Sequence, residues 1–340
     1  VAGDRPTGAD TLSDVLGTVR MTGALFFLVD CSEPFVLQAP RAEEFAPLIL
    51  PRARHIISYH VIAGGHAWGG LVDGPPVQLE PGDVLLVPHG HSYFMASAPT
   101  LRAGEPRETS LGFLRRMAAG QLPPVVTTGG GGSTKTHVIC GFLGCDVDPF
   151  NPLVAGLPPV VRVRRQPGGT EDRLTPLVDF AVAESRRPRS GGRTVLLRLS
   201  ELMFVEVVRR CVESGTVNDT GWLLGLRDPV VGRALALVHA DPARAWTLDG
   251  LARAVGASRS ALSLRFSELV GDAPMHYLTR WRMQVAARML SEGTAKVGAV
   301  ARDVGYESEA AFNRAFKRAA GFSPGAWRRR ALEPGSDEEG

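Results

Sequence analysis

Two sets of side chains in this 340-residue sequence have types and spacings that could do chemistry. The first is a group of metal-capable residues in the N-terminal half: His60, His89, His91, His137, Cys140 and Cys145. Zinc accepts mixed sulfur and nitrogen ligands, so His60, His89, Cys140 and Cys145 form a candidate zinc set. Gly141 and Gly144 lie between the two cysteines and could fold the chain so that both thiolates meet. A thiol pair could instead respond to oxidants. The third reading is a buried strand cysteine, a loop cysteine and scattered histidines. Cys31 and Cys211 read as core thiols, since small thiols are often buried. Four cysteines in a chain of this length do not make a disulfide framework.

The second set is electrostatic. Between Arg227 and Arg330 there are 17 Lys and Arg against 9 Asp and Glu, a net of +8. Residues 331–340 carry four acids and no base, and the remainder of the chain is near neutral at −1. The formal net charge of +3 therefore hides a basic C-terminal segment, which points to a polyanion as the partner of that segment alone.

The element that must position this charge is a pattern that occurs twice between Trp246 and Trp327. Each copy is a short apolar-periodic helix, a glycine (Gly256, Gly305), a serine in N-cap position (Ser258, Ser308) and a second helix. That order is a helix-turn-helix: the glycine permits the tight turn and the serine satisfies free N–H groups of the next helix. Leu262 and Phe266 match Phe312 and Phe316, so each second helix buries an apolar side at i and i+4. Its opposite side is then free to enter a major groove, which admits one helix.

Upstream, residues 1–160 read as β-rich. Leu25–Val29 is a short apolar strand followed by turn chemistry around Pro34, Pro40 and Pro47; His55–Ile62, Ala67–Val72, Val77–Leu79 and Pro81–His91 follow as short stretches separated by Gly and Pro turns, with Asp73-Gly74 a hairpin dipeptide. Arg107–Ala119 reads as a short helix or a loop. Thr127–Ser133, with four consecutive glycines, reads as a flexible connector. Lys135–Phe142 returns to alternation, and the proline-rich path Asp148–Pro159 closes a small sandwich or barrel. Residues 161–226 change to helix. Thr194–Ser214 is apolar over more than the roughly 100° stripe that one core contact requires. It packs either on its own domain and a second copy of itself, or wholly inside the monomer. No apolar run reaches the roughly 18 residues of a membrane span. With no N-terminal export signal visible, a cytoplasmic location is expected.

The segment 227–332 resembles the DNA-binding domain of the AraC/XylS family of transcription regulators. The resemblance rests on Gly305-Tyr306, Ser308, Phe312, Phe316-Lys317, Gly321, Ser323-Pro324 and Trp327-Arg328 at their mutual spacing. It implies two helix-turn-helix units joined by one long helix, here about Pro274–Ser291. It also implies base-facing positions at Ser260, Ser263 and Leu264 in the first unit and at Glu309, Ala310, Asn313 and Arg314 in the second. Arg314 can bond a guanine bidentately and Asn313 an adenine. Leu264 stands where the family commonly has a long polar residue, so the first unit would read methyl groups or carry less specificity. Arg259, Arg265, Arg282, Lys317 and Arg328 are assigned to phosphate contact or the general field.

Glu80–Asp83 with Gly82, Pro88 and Gly90 resembles the second motif of the cupin family. Tyr93 stands where that family's metal-binding histidine lies, and His60 is the remnant of its first motif. The expected fold class is α+β and multidomain: a cupin-like β-barrel at 1–160, a helical dimerisation segment at 161–226, an all-α double helix-turn-helix domain at 227–332 and an acidic disordered tail at 333–340. The expected function is a non-enzymatic, homodimeric transcription regulator of double-stranded DNA. A small molecule, zinc or an oxidant sensed in the barrel would control it, with RNA polymerase a further candidate partner. The competing class is a cupin metalloenzyme fused to a DNA-binding module.

Overall fold

The computed structural model describes residues 10–18, 21–51, 53–102, 107–165, 172–214 and 221–332, so the acidic segment 333–340 lies outside the described residues. The chain begins with helix α1 (Thr11–Thr18), strands β1 (Met21–Ser32) and β2 (Val36–Ala39), and helix α2 (Ala42–Ile49). Strands β3 (His55–Gly64), β4 (Ala67–Leu71), β5 (Val77–Leu79), β6 (Val84–Val87) and β7 (Tyr93–Ala96) follow. Helix α3 (Arg107–Ala118) precedes β8 (Val125–Gly129) and β9 (Lys135–Cys145), and then come α4 (Pro152–Ala155) and β10 (Val161–Val163). Helices α5 (Leu174–Arg186), α6 (Gly192–Ser214) and α7 (Trp222–Arg227) lead to α8 (Val231–Ala240) and α9 (Leu248–Ala254). The last five are α10 (Arg259–Val270), α11 (Pro274–Glu292), α12 (Val297–Asp303), α13 (Glu309–Ala320) and α14 (Pro324–Leu332).

The chain divides into two compact units. One holds 21–146 and 157–216; the other holds 1–20, 147–156 and 217–340. The β unit has a six-stranded sheet in the order β10-β6-β3-β9-β1-β8 and a four-stranded sheet in the order β2-β7-β4-β5. All pairs are antiparallel except β1 with β8. Side chains alternate between the two faces of a strand. On β3, His60 lines a cavity with Phe27 of β1, Met95 of β7 and Phe142 of β9. Tyr59 points the other way, where its hydroxyl donates to the Ser200 carbonyl of α6 at 3.0 Å and its ring packs near Phe204. Gly141 is the β9 partner of Tyr59, and a Cβ there would lie 2.3 Å from the Tyr59 ring. The glycine is thus the gap through which the tyrosine reaches α6.

The structure departs from the sequence reading at several places. Thr127–Gly129 is ordered as the end of β8, paired with Asp30–Ser32. Gly129 has φ +104, and a Cβ there would lie 1.9 Å from the Ser32 carbonyl oxygen, so the glycine is a close-approach residue rather than a flexible one. The stretch around Pro47, read as turns, is helix α2, whose buried Phe45 and Ile49 pack into the barrel core. The segments containing α1 and α4, read as part of the barrel domain, belong instead to the helical unit.

In that unit α1 packs on α8 and α11. Phe150, just before α4, donates its backbone N–H to Gln284 Oε1 at 3.1 Å, and its ring meets the edge of Tyr277 at 5.5 Å. Trp222 donates Nε1–H to the Tyr277 hydroxyl at 2.7 Å, and that hydroxyl also contacts His239 Nε2 at 2.8 Å. Burial depresses the His239 imidazole to about 3, and His60 in the barrel likewise to about 3.

Two predictions test this architecture. Gly141→Ala should destabilise the protein by about 1–3 kcal/mol through overpacking against Tyr59. Gly112→Ala, with no atom within 4 Å of where its Cβ would sit in α3, should be neutral or stabilising by about 0.5–1 kcal/mol. Equal melting of Gly141→Ala and the parent would refute the packing. The second concerns pH. Unfolded histidine titrates near about 6.5, so between that value and about 3 the unfolded chain binds more protons than the folded one. Stability should therefore be level above about pH 6.5 and fall below it, by up to about 1.4 kcal/mol per pH unit for each of His60 and His239. Denaturant melts of the full chain across this range would read the slope, and a flat profile would show that neither ring is held neutral.

Candidate nucleic-acid interface and barrel cavity

The two helix-turn-helix units are built alike. α10 and α13 are each 12 residues long. Ser258 and Ser308 cap them through side-chain oxygens that accept from Ala261 N–H at 3.2 Å and Ala311 N–H at 3.1 Å. Left-handed Gly271 and Gly321 end them. The preceding turns use Gly256 at φ +71 and Gly305 at φ +82. At Gly305 a Cβ would lie 2.4 Å from the Ala243 carbonyl oxygen. Leu262, Phe266, Phe312 and Phe316 are all fully buried, which turns the opposite faces of both helices outward.

On α10 the outward residues are Arg259, Ser260, Leu264 and Arg265, with Ser263 half-buried. Leu264 is 63 % exposed, a large apolar side chain left in water. Arg259 is loosely placed beside Asp249 at 3.8 Å. Arg265 donates Nε–H to Asp228 Oδ2 at 2.7 Å. Asp228 itself accepts from the Val230 and Val231 N–H groups at the start of α8. Burial opposes the charge on Asp228, but these bonds outweigh it and hold its carboxyl below the usual range. Arg265 therefore anchors α10 to α8 as well as presenting charge.

On α13, Glu309, Ala310, Arg314, Lys317 and Arg318 are exposed and Asn313 is half-buried. Among the described residues Asn313 Oδ1 finds no hydrogen-bond partner. With Arg314 and Lys317 it lines a surface hollow bordered by Val297 and by Pro324 at the start of α14. Glu309 leans over Gly298 of α12, where a Cβ would lie 2.6 Å from its Oε2.

Arg282 was expected to face phosphate, yet its Nε–H donates to the Pro242 carbonyl at 2.7 Å and its Nη2 to the Arg244 carbonyl at 2.9 Å. It is a brace that ties α11 to the loop between α8 and α9. Arg328 is placed similarly, donating to the carbonyls of Leu290 and Ala295. No feature of the sequence separates such arginines from groove-facing ones, because the carbonyls they bind are set by the tertiary fold.

The zinc set does not assemble. Among the described residues no three of His, Cys, Asp and Glu could hold a metal ion together. Cys140 and Cys145 are five residues apart on one strand. They therefore point to opposite faces, roughly 16 Å apart along β9. His89 Nε2 bonds the Leu157 carbonyl at 2.7 Å, and His137 Nδ1 bonds Asp30 at 2.7 Å. All four cysteines are buried free thiols. Burial pushes Cys31, Cys145 and Cys211 up to about 12 and Cys140 well above its ordinary value. The thiolate is the form from which metal binding and oxidation start, so neither chemistry is favoured at these positions.

What the barrel does hold is a cavity of about 320 Å³. Phe27, Met95, Leu114 and Phe142 line its apolar interior, and Thr109, Ser110, Thr127 and Arg116 contribute polar lining. His60 and its β9 partner Cys140 both face it. Tyr93, at the position of the cupin metal ligand, hydrogen-bonds His60 Nε2 at 2.7 Å. The remaining ring nitrogen, His60 Nδ1, is buried and has no hydrogen-bond partner among the described residues.

Comparison with known proteins agrees with both halves. A family model described as Cupin matches residues 10–213, and one described as Helix-turn-helix domain matches residues 251–330. A Streptomyces antibioticus protein named as an AraC-like transcription regulator is 34 % identical over 84 % of this chain and 97 % of its own length. The Escherichia coli K12 RCS-specific HTH-type transcriptional activator RclR is 32 % identical over 82 % of this chain and 86 % of its own. Among solved structures, the DNA-binding domain of AdpA in complex with a target DNA is similar at 30 % identity and a TM-score of 0.30, covering 32 % of this chain and 99 % of that one. These relatives are regulators rather than enzymes, and no described helix is long and apolar enough to cross a membrane. The chain belongs to the AraC-like family of DNA-binding transcription regulators, with a cupin domain ahead of its helix-turn-helix domain.

Proposed function

We propose that the chain acts in the cytoplasm as a homodimeric, effector-controlled regulator that reads promoter DNA through two successive major grooves. The observation that supports this is the pair of serine-capped helices α10 and α13, joined by the single helix α11, each with its apolar side buried and its polar side outward. The 19 residues of α11 extend about 28 Å at 1.5 Å per residue. One turn of DNA is about 34 Å, so a rigid connector of this length suits adjacent grooves on one face.

The two helices differ in what they offer. α13 presents Arg314 for a guanine and Asn313 for an adenine, with Glu309 and Ala310 beside them. α10 presents Ser260, Ser263 and the exposed Leu264, which suits a thymine methyl. Sequence preference then rests mainly on α13, and α10 anchors through Arg259 and Arg265.

A second copy of the chain fits the outer face of α6. Val195 and Leu202 are exposed there, with Leu199 and Val205 half-buried beside them. An antiparallel pair centred on Leu202 would set Leu202 against its own copy and Leu199 against Val205. It would also set Arg198 against Glu206, so the charge is self-complementary. The barrel cavity is the place where a small molecule would favour one dimer arrangement over another, and with it one spacing of DNA half-sites.

Arg314→Ala should weaken operator binding by about 1–3 kcal/mol and relax preference at one base pair, while Lys317→Ala should weaken all sequences alike and reduce the salt slope by about one. Unchanged affinity and preference for Arg314→Ala, in binding-site selection on random DNA, would remove α13 from the readout. Leu202→Arg should convert the dimer to a monomer in sedimentation while the variant stays folded, since the side chain is exposed within the single chain; its melting temperature should fall only by what association contributes. A variant that sediments like the parent would place the dimer contact elsewhere.

A further inference from the structure

We propose that Gly298 is a specificity-positioning residue. The space left by its missing side chain holds the Glu309 carboxylate beside the hollow that Asn313 and Arg314 line, where the carboxylate selects a cytosine. The inference rests on the reading of α13 as the base-reading helix, and adds to it one base and the residue that aims the side chain at it.

The backbone does not require glycine at this point. Gly298 is the second residue of α12 and does not adopt a positive φ. At an ordinary helix position glycine is destabilising relative to alanine. What it supplies here is room. A Cβ on Gly298 would lie 2.6 Å from Glu309 Oε2, and Arg302 Nη1 stands 4.0 Å from the same point. The carboxylate therefore rests on the glycine, with a guanidinium nearby to favour its charge.

The first unit couples the same two positions. Asp249 is the second residue of α9 and Arg259 the first of α10, as Gly298 and Glu309 are in α12 and α13. Asp249 Oδ2 lies 3.8 Å from Arg259 Nη1. In each unit the helix ahead of the turn thus meets the first side chain of the recognition helix. The charges differ. In the first unit an acid on α9 holds a cation, and in the second a glycine on α12 makes way for an acid.

The chemistry of a carboxylate names the base. It offers acceptors only. In the major groove guanine presents O6 and N7 and thymine presents O4, all acceptors that repel it. Adenine sets its N7 acceptor beside the N6 amino group, whereas cytosine presents the N4 amino group alone. Cytosine N4–H can then donate to a Glu309 oxygen. Because Glu309 lines the same hollow as Asn313 and Arg314, this cytosine adjoins the bases those two read.

Binding-site selection on random DNA with the full-length protein tests this, followed by equilibrium binding to the selected site with each of the four bases at the cytosine position. The parent should prefer cytosine there by about tenfold. Glu309→Gln should move the preference to adenine, which an amide bonds bidentately. Gly298→Ala should cut the cytosine preference to about twofold or less and leave the preference set by Arg314 intact. Its melting temperature should not fall, since alanine is the better helix former. In a Glu309→Ala background the same change should leave base preference unaltered. Full cytosine preference in Gly298→Ala would overturn the positioning role, and so would an equal loss of affinity for every sequence, which would make the glycine a backbone contact. An unchanged preference in Glu309→Gln would overturn the cytosine assignment. If Arg314→Ala still alters base preference in those cases, only this inference falls; if it too changes nothing, the reading of α13 falls with it.

Discussion

The hydroxyl of Tyr277 has to serve two buried nitrogens at once, and the first half of the DNA-binding unit is arranged around that demand. Trp222 Nε1–H can only donate, so the hydroxyl accepts from it at 2.7 Å. The same hydroxyl lies 2.8 Å from His239 Nε2 and shares a hydrogen bond with it. Burial holds the imidazole neutral, down to about 3. The three residues come from α7, α8 and α11, so one polar node orients three helices. Phe266 of α10 sits edge-on to the same tyrosine ring at 5.6 Å, and His239 stacks on Trp281 at 3.9 Å. The position of the first recognition helix is thereby coupled to a hydrogen-bond triad. Such a triad is costly to break, since an orphaned buried donor costs about 1–3 kcal/mol.

The second half solves the same problem differently. Tyr306, Phe312, Phe316 and Trp327 form a run of ring contacts at 5.6, 5.6 and 5.8 Å. The one buried indole there donates to Ser291 Oγ at 3.0 Å and the Ala287 carbonyl at 3.2 Å. No histidine is needed, and the core around α13 is held by apolar area and ring geometry. Arg282 joins the halves through main-chain carbonyls, which depend on no particular neighbour side chain. The repeat is therefore one of backbone pattern rather than of chemistry. That is why the two recognition faces can diverge while the scaffold is kept.

Much of this was readable from local spacing. Serine three residues ahead of a bonded N–H, glycine at positive φ and apolar pairs at i and i+4 are short-range requirements, and α9–α10 and α12–α13 follow them closely. The alternating stretches at His55 and Lys135 likewise became β3 and β9. What stayed hidden depends on partners distant in sequence. Phe150 looked like part of a proline-rigid closing strap, but its partners Tyr277 and Gln284 lie on α11. Pro47 suggested a turn, yet helix α2 accommodates it and buries Phe45 against Phe142. Gly129 looked flexible because glycine usually is, and only the Ser32 carbonyl opposite it shows the close approach. Arg282 carried the same letter as the exposed Arg314, and nothing in its local context marks it as a brace.

The four residues named as a zinc set stay apart in the barrel for a chemical as well as a geometric reason. A metal site needs several donors that can surrender protons, converging on one point. Here burial pushes both the Tyr93 phenol and the Cys140 thiol well above their ordinary values, so both stay neutral. His60 is neutral, the form a metal would bind, but its Nε2 is taken up by the Tyr93 hydroxyl at 2.7 Å. Replacing a ligating imidazole with a phenol thus removes a lone-pair donor and supplies a proton donor in its place. The cavity keeps its aromatic walls of Phe27, Phe113 and Phe142, while among the described residues no set of donors converges to hold a divalent charge.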